Sequence, residues 1–172
     1  MTFEVLKWTP ISGEFEEKHF GKTDVHPLWI KFYSISSYCW IGSFASGDIG
    51  LENEKIIDIN NTSETAVLTK GKFYVINNDS KELIMETEGG YYTDFEIVVE
   101  NNLIVLATYW GISIFKNYKL IKEINPEFID GVRFTKRTGD LLKGEIYEPG
   151  DDWYEFELNL QSLKLKWLNF EY

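Results

Sequence analysis

Four carboxylates near the C-terminus offer the first candidate chemistry, Asp151 beside Asp152 and Glu155 two positions before Glu157. Two carboxyl groups flanking a glycosidic bond can work as acid and base. Adjacent or alternating carboxylates on a strand or turn more simply make a solvated edge, so a glycosidase-like enzyme ranks lowest among the readings. The histidines His19 and His26 do not have metal-binding spacing on a helix, and His26 precedes Pro27, where a turn is expected. Cys39 is the sole cysteine, which excludes an intramolecular disulfide and a multi-cysteine zinc site and fits a reducing compartment. There is no Gly-rich phosphate loop and no nucleophile elbow. The expectation is a protein that is not an enzyme and needs no cofactor or metal.

The elements that carry these residues are expected to be strands. Aromatic residues make up 16% of the chain, while alanine occurs only at Ala45, Ala66 and Ala107. That composition favours β structure over helix. With 172 residues the chain is read as one β domain: an irregular segment over 1–28, strand repeats over 29–167 and a tail over 168–172. The opening "MTFEVLKWTPISGEFEEKHF" lacks a basic start followed by an apolar run, and no segment reaches the roughly 18 apolar residues of a membrane span. A cytoplasmic location is expected. The net charge of −11, from 28 acidic and 17 basic residues, disfavours nucleic acid and anionic membrane as partners. It suits solubility or a basic protein partner, and leaves the oligomeric state open.

The stretch "NNLIVLATYWGISIFKNYKLIKEI" from Asn101 aligns with "SETAVLTKGKFYVINNDSKELIME" from Ser63. Val67 to Thr69 fall over Leu106 to Thr108, Phe73 to Ile76 over Ile112 to Phe115, Leu83-Ile84 over Leu120-Ile121, and Gly71 over Gly111. "GDLLKGEIYEPGDDWYEFELNLQSLKLKW" from Gly139 repeats the three runs with a longer first turn, and "SYCWIGSFASGDIGLENEKIIDI" is read as a degenerate earlier copy. "TDFEIVVE" and "IDGVRFTK" add a leading strand to two copies, giving four short antiparallel strands, a to d. One sheet is expected from Phe95 to Glu100, Leu103 to Thr108, Ile112 to Lys116 and Lys119 to Ile124, burying Leu106, Ile114 and Ile121. Four-stranded units recurring every 40 residues or so resemble β-propeller blades. The fold class is therefore all-β, with tandem four-stranded antiparallel units resembling a partial β-propeller; an antiparallel meander or sandwich is the alternative. The Trp-Asp and Gly-His signatures of some blades are absent. "SGDIG" from Ser46 matches the Ser-x-Asp-x-Gly core of the Asp-box turn of sialidase-like propellers, but occurs once and lacks the following aromatic.

In such a unit the b-to-c turn and the d-to-a connection leave from the same end. These loops hold the chain's densest mixture of rings and acids: Tyr91, Tyr92, Tyr109, Trp110 and Trp153 with Asp94, Glu127, Asp130, Glu148, Asp151 and Asp152. Amphipathic rings among carboxylates are what a hot spot for a basic partner requires, although a ring such as Trp110 or Trp153 can equally close the end of a core. A small, acidic, aromatic chain with these loops resembles the immunity proteins of bacterial polymorphic and contact-dependent toxin systems. That resemblance implies neutralisation of a basic toxin domain, often a nuclease, by occlusion of its active site. A carbohydrate-binding or scaffolding β module is the main alternative and would use the same rings as stacking platforms.

Overall fold

The computed structural model describes residues 2–11, 13–22, 26–33, 39–47, 52–59, 62–126, 129–148, 150 and 152–168. They form sixteen strands in four four-stranded sheets, with no α-helix among them. The chain is thus all-β and built of tandem, propeller-like four-stranded units. It groups into two compact units, Met1–Tyr91 and Tyr92–Tyr172.

In the first unit, β1 (Thr2–Leu6), β2 (Glu16–Phe20), β3 (Leu28–Tyr33) and β4 (Cys39–Phe44) lie in the order β1-β3-β4-β2. Residues 1–28, expected to be irregular, therefore supply both edges of a sheet. β2 runs parallel to β4, with Glu16 opposite Trp40 and Phe20 opposite Phe44, so this sheet is mixed. The strict alternation of β3 turns Leu28, Ile30 and Phe32 inward. Phe32 stacks on Trp40 at 4.4 Å between centroids.

The second sheet runs in chain order: β5 (Glu54–Ile59), β6 (Glu64–Thr69), β7 (Lys72–Asn77) and β8 (Glu82–Glu86). The supposed degenerate copy is thereby divided, with its "CWIGSF" forming β4 and its "EKIIDI" forming β5, strand a of the next sheet. The "SGDIG" turn beyond Gly47 lies outside the described residues. Val67, Tyr74 and Ile76 share one core with Ile30, Phe32, Trp40 and Phe44, and the Tyr74 hydroxyl donates to the Ala45 carbonyl at 2.8 Å. Each such fully buried large side chain stabilises the fold by roughly 1.5–3 kcal/mol.

The second unit contains β9 (Tyr92–Val98), β10 (Leu103–Thr108), β11 (Ile112–Lys116) and β12 (Lys119–Ile124), followed by β13 (Val132–Thr138), β14 (Leu141–Glu148), β15 (Asp152–Asn159) and β16 (Lys164–Trp167). Both sheets are simple meanders. Strand a of the first ends at Val98 rather than Glu100, because Val99–Asn101 form a 3-10 turn closed by left-handed Asn102 at φ 52. Val105, Ala107 and Ile114 pack with Leu142, Ile146, Phe156 and Leu158 into one core.

Leu106 and Ile114 are buried as expected, but Ile121 is 48% exposed. The register explains the difference: Ile114 faces Lys122 and Phe115 faces Leu120, which leaves Ile121 as the extra residue of a β-bulge on an edge strand. Ile84 on β8 is skipped in the same way, between the pairs Val75 with Met85 and Ile76 with Leu83. The repeat extends to its irregularity.

Candidate functional site

The loop end of the second unit is assembled by short-range rules. Between β10 and β11 the turn is Tyr109-Trp110-Gly111. The Thr108 amide donates to the Gly111 carbonyl at 2.8 Å, and the Thr108 hydroxyl accepts the Trp110 amide at 3.0 Å. A side chain at Gly111 would run into the Ile124 carbonyl, so glycine allows the end of strand d to press against the turn. The backbone is thereby fixed while the Trp110 indole stands 55% exposed beside Tyr109, with centroids 6.4 Å apart.

Strand d then leads toward the neighbouring sheet. The Asp130 amide donates to the Tyr147 carbonyl at 2.8 Å, and Tyr147 returns its amide to Gly131 at 2.9 Å, which carries Asp130 to the start of β13. Across β14 and β15, Tyr147 faces Trp153 with centroids 5.2 Å apart. The Arg133 guanidinium lies 4.0 Å over the Trp153 ring and is anchored by Nε to Glu145 at 2.6 Å. Trp153 is 43% exposed, so neither tryptophan is a core plug.

Next to these rings, Glu148 and Asp152 face each other directly. Like charges in that position repel. The local field is negative enough to act on Tyr154, whose phenol is pushed above its usual value by burial first and then by the charges of Glu148 and Asp152. No ion pair among the described residues involves Asp130, Glu148 or Asp152. A cationic surface can therefore approach three carboxylates without first displacing an internal cation.

No protein-family model matches the chain. No curated protein matches it either. Among solved structures it is similar to KlHsv2 with loop 6CD replaced by a Gly-Ser linker, at 14% identity and a TM-score of 0.48, covering 78% of this chain and 42% of that one. It is also similar to Kluyvelomyces marxianus Hsv2, at 11% identity and a TM-score of 0.43, covering 81% and 56%. Both are β-propeller proteins, and the chain spans less than two thirds of either.

Of the expected site residues, Tyr109, Trp110, Asp130, Glu148, Asp152 and Trp153 lie at the loop end of the second unit. Glu127 and Asp151 fall outside the described residues. Tyr92 is 5% exposed and paired with Thr108 at the start of β9, so it belongs to the core. Asp94 is a structural residue: its carboxylate accepts the Phe95 amide at 2.7 Å and the Phe134 amide at 3.3 Å, linking β9 to β13. Tyr91 belongs to the first unit and is half-buried.

Two features were missed in the sequence. Arg133 joins Trp153 only once β13 is paired with β14, so no local pattern announces it. In the first unit, β1, the segment after it and the outer side of β3 and β4 line a groove of about 540 Å³ that includes Glu4, Trp8, Ile11, Glu14 and Lys31. Trp8 there is 83% exposed. A tryptophan in a polar N-terminal stretch was its one sequence signal. Among the described residues, no cluster of His, Cys, Asp and Glu could hold a metal ion, and no helix is long and apolar enough to cross a membrane.

Proposed function

We propose that the chain is a non-catalytic, cytoplasmic binding protein that neutralises a basic toxin domain, of the kind countered by bacterial immunity proteins. The observation that carries this reading is the half-exposed Trp110, held on a turn fixed by Thr108 and Gly111, at the same end as the carboxylates of Asp130, Glu148 and Asp152, which no ion pair among the described residues engages. The carboxylates meet the Lys and Arg side chains with which a nuclease grips phosphate. Trp110 anchors the contact, and net charge speeds encounter.

The test is stopped-flow association of the purified protein with the basic toxin domain encoded beside its gene. Asp152→Lys should slow association and flatten its salt dependence. Trp110→Ala should leave the on-rate and raise the off-rate about thirtyfold, the equivalent of about 2 kcal/mol. Unchanged rates in both variants would place the contact elsewhere.

A second reading, a carbohydrate-binding module, draws on a different place. The groove under Trp8 has an exposed indole for stacking and carboxylates for hydroxyl groups, in a volume suited to a small ligand. A glycan array that lights up with the parent chain and goes dark with Trp8→Ala would favour it.

A further inference from the structure

On a chain of net charge −11, the hairpin between β11 and β12 is a local exception. Its sequence, Lys116-Asn117-Tyr118-Lys119-Leu120-Ile121-Lys122, has three lysines and no acid. Three features of it work against stability. Lys116 and Lys119 face each other directly across the strands, where like charges repel, and neither has an ion-pair partner among the described residues. Both turn residues are left-handed, Asn117 at φ 49 and Tyr118 at φ 63, although a bulky side chain disfavours that region and glycine normally takes the second position. Leu120 and Ile121 project about half-exposed beside the bulge. Local strain, repulsion and apolar exposure at one tip point to a contact surface.

The partner is not an added strand. A bulge and flanking lysines are devices that keep an edge from pairing, and β12 carries both. The tip instead offers the ammonium groups of Lys116 and Lys119 beside apolar side chains, while Lys122 donates to the Leu163 carbonyl at 2.6 Å and braces the base of the hairpin. Its complement stands at the opposite end of the same two sheets: Trp110 and Trp153 with Asp130, Glu148 and Asp152. We propose that the Lys116–Lys122 hairpin of one molecule docks onto the acidic, aromatic loop end of a second copy of this chain.

The repulsion between two chains of charge −11 acts over long distances and is screened beyond a Debye length of about 8 Å at physiological salt, while pairs in contact are screened far less. Association is therefore expected to be weak, strongest at intermediate salt and reduced at either extreme. Because the two surfaces differ, the contact is head-to-tail and need not stop at a dimer. It uses the loop end proposed for the basic toxin, so the two compete.

Sedimentation equilibrium of the full chain, without any other protein, tests this. The mass should rise above the 20.1 kDa of one chain with concentration. Lys116→Glu with Lys119→Glu, and separately Glu148→Lys with Asp152→Lys, should each weaken association about tenfold. Mixing the two variants should restore it, because each then meets the opposite charge, a rescue that misfolding cannot produce. A monomer at every concentration and salt, association indifferent to both reversals, or no rescue on mixing would each overturn the proposal. So would a monomer whose hairpin binds phosphatidylserine vesicles over phosphatidylcholine ones. Failure here leaves toxin binding standing, because no toxin enters the experiment.

Discussion

Trp110 and Trp153 both flank a b-to-c turn and are exposed to similar extents, yet their neighbours differ. Trp110 has Tyr109 as a ring neighbour at 6.4 Å, whereas Trp153 packs on Tyr147 at 5.2 Å and under the Arg133 guanidinium at 4.0 Å. Because Trp110 is the more exposed of the two, 55% against 43%, Trp110→Ala should cost less in thermal or urea unfolding than Trp153→Ala. Trp153→Ala should lose about 1 kcal/mol, from one aromatic pair and one cation–π contact. The sequence named both rings but could not say which were core. Exposure is decided by cross-strand partners, and these are set by register rather than by neighbours in the chain; Tyr92, adjacent to Tyr91, is buried for that reason. Tyr118 allows a sharper test. Replacing it with glycine relieves a left-handed aromatic residue and should raise unfolding free energy by about 1 kcal/mol, while weakening self-association. A variant that is more stable and less associated separates the cost of the turn from its use.

At the scale of elements, the meander from β9 to β12 was legible because its apolar runs alternate between turn residues, and its observed bounds differ from expectation mainly at strand a. The bulge at Ile121 was not legible, since an extra residue in one strand leaves the alternation of letters almost unchanged. The mixed N-terminal sheet was not legible either, because β2 is too polar to announce itself and finds β4 only through a parallel pairing distant in sequence. Two ion pairs join elements and set a pH dependence. Lys81, by hydrogen bond and charge, holds the Glu16 carboxyl below its usual 4.5, tying β2 to the turn before β8. Glu100 is lowered by a backbone hydrogen bond and then by Arg137, tying the 3-10 turn to β13. A lowered carboxyl contributes stability above its unfolded value, and that contribution is lost as pH falls through the folded value. Glu16→Gln with Glu100→Gln should therefore lower the urea midpoint at neutral pH and converge with the parent well below pH 4.5. The sign reverses for Tyr33, which donates to Glu4 at 2.6 Å, and for Tyr154. Their phenols are raised above 10, Tyr33 chiefly by its hydrogen bond to Glu4, so the stability they add is present below that value and lost at higher pH. Urea midpoints of Tyr33→Phe and the parent should differ below pH 10 and approach each other above it.

For the molecule as a whole, charge has two ranges of action. The net −11 steers a basic partner from a distance, and that effect falls steeply with salt. Contacts made by rings and paired charges persist. Raising salt should consequently slow toxin association by a larger factor than it speeds dissociation, a difference read from the same stopped-flow traces. The mixed N-terminal sheet has a consequence of a different kind. The three meanders pair each strand with the next through short turns, so each can form as soon as its own residues are available. The first sheet cannot: β1 must wait for β3 and β2 for β4, closing far longer loops before any pairing rewards them. β1 and β2 are thus completed by residues made later, and on the ribosome β1 must remain unpaired until β3 has emerged and β2 until β4 has.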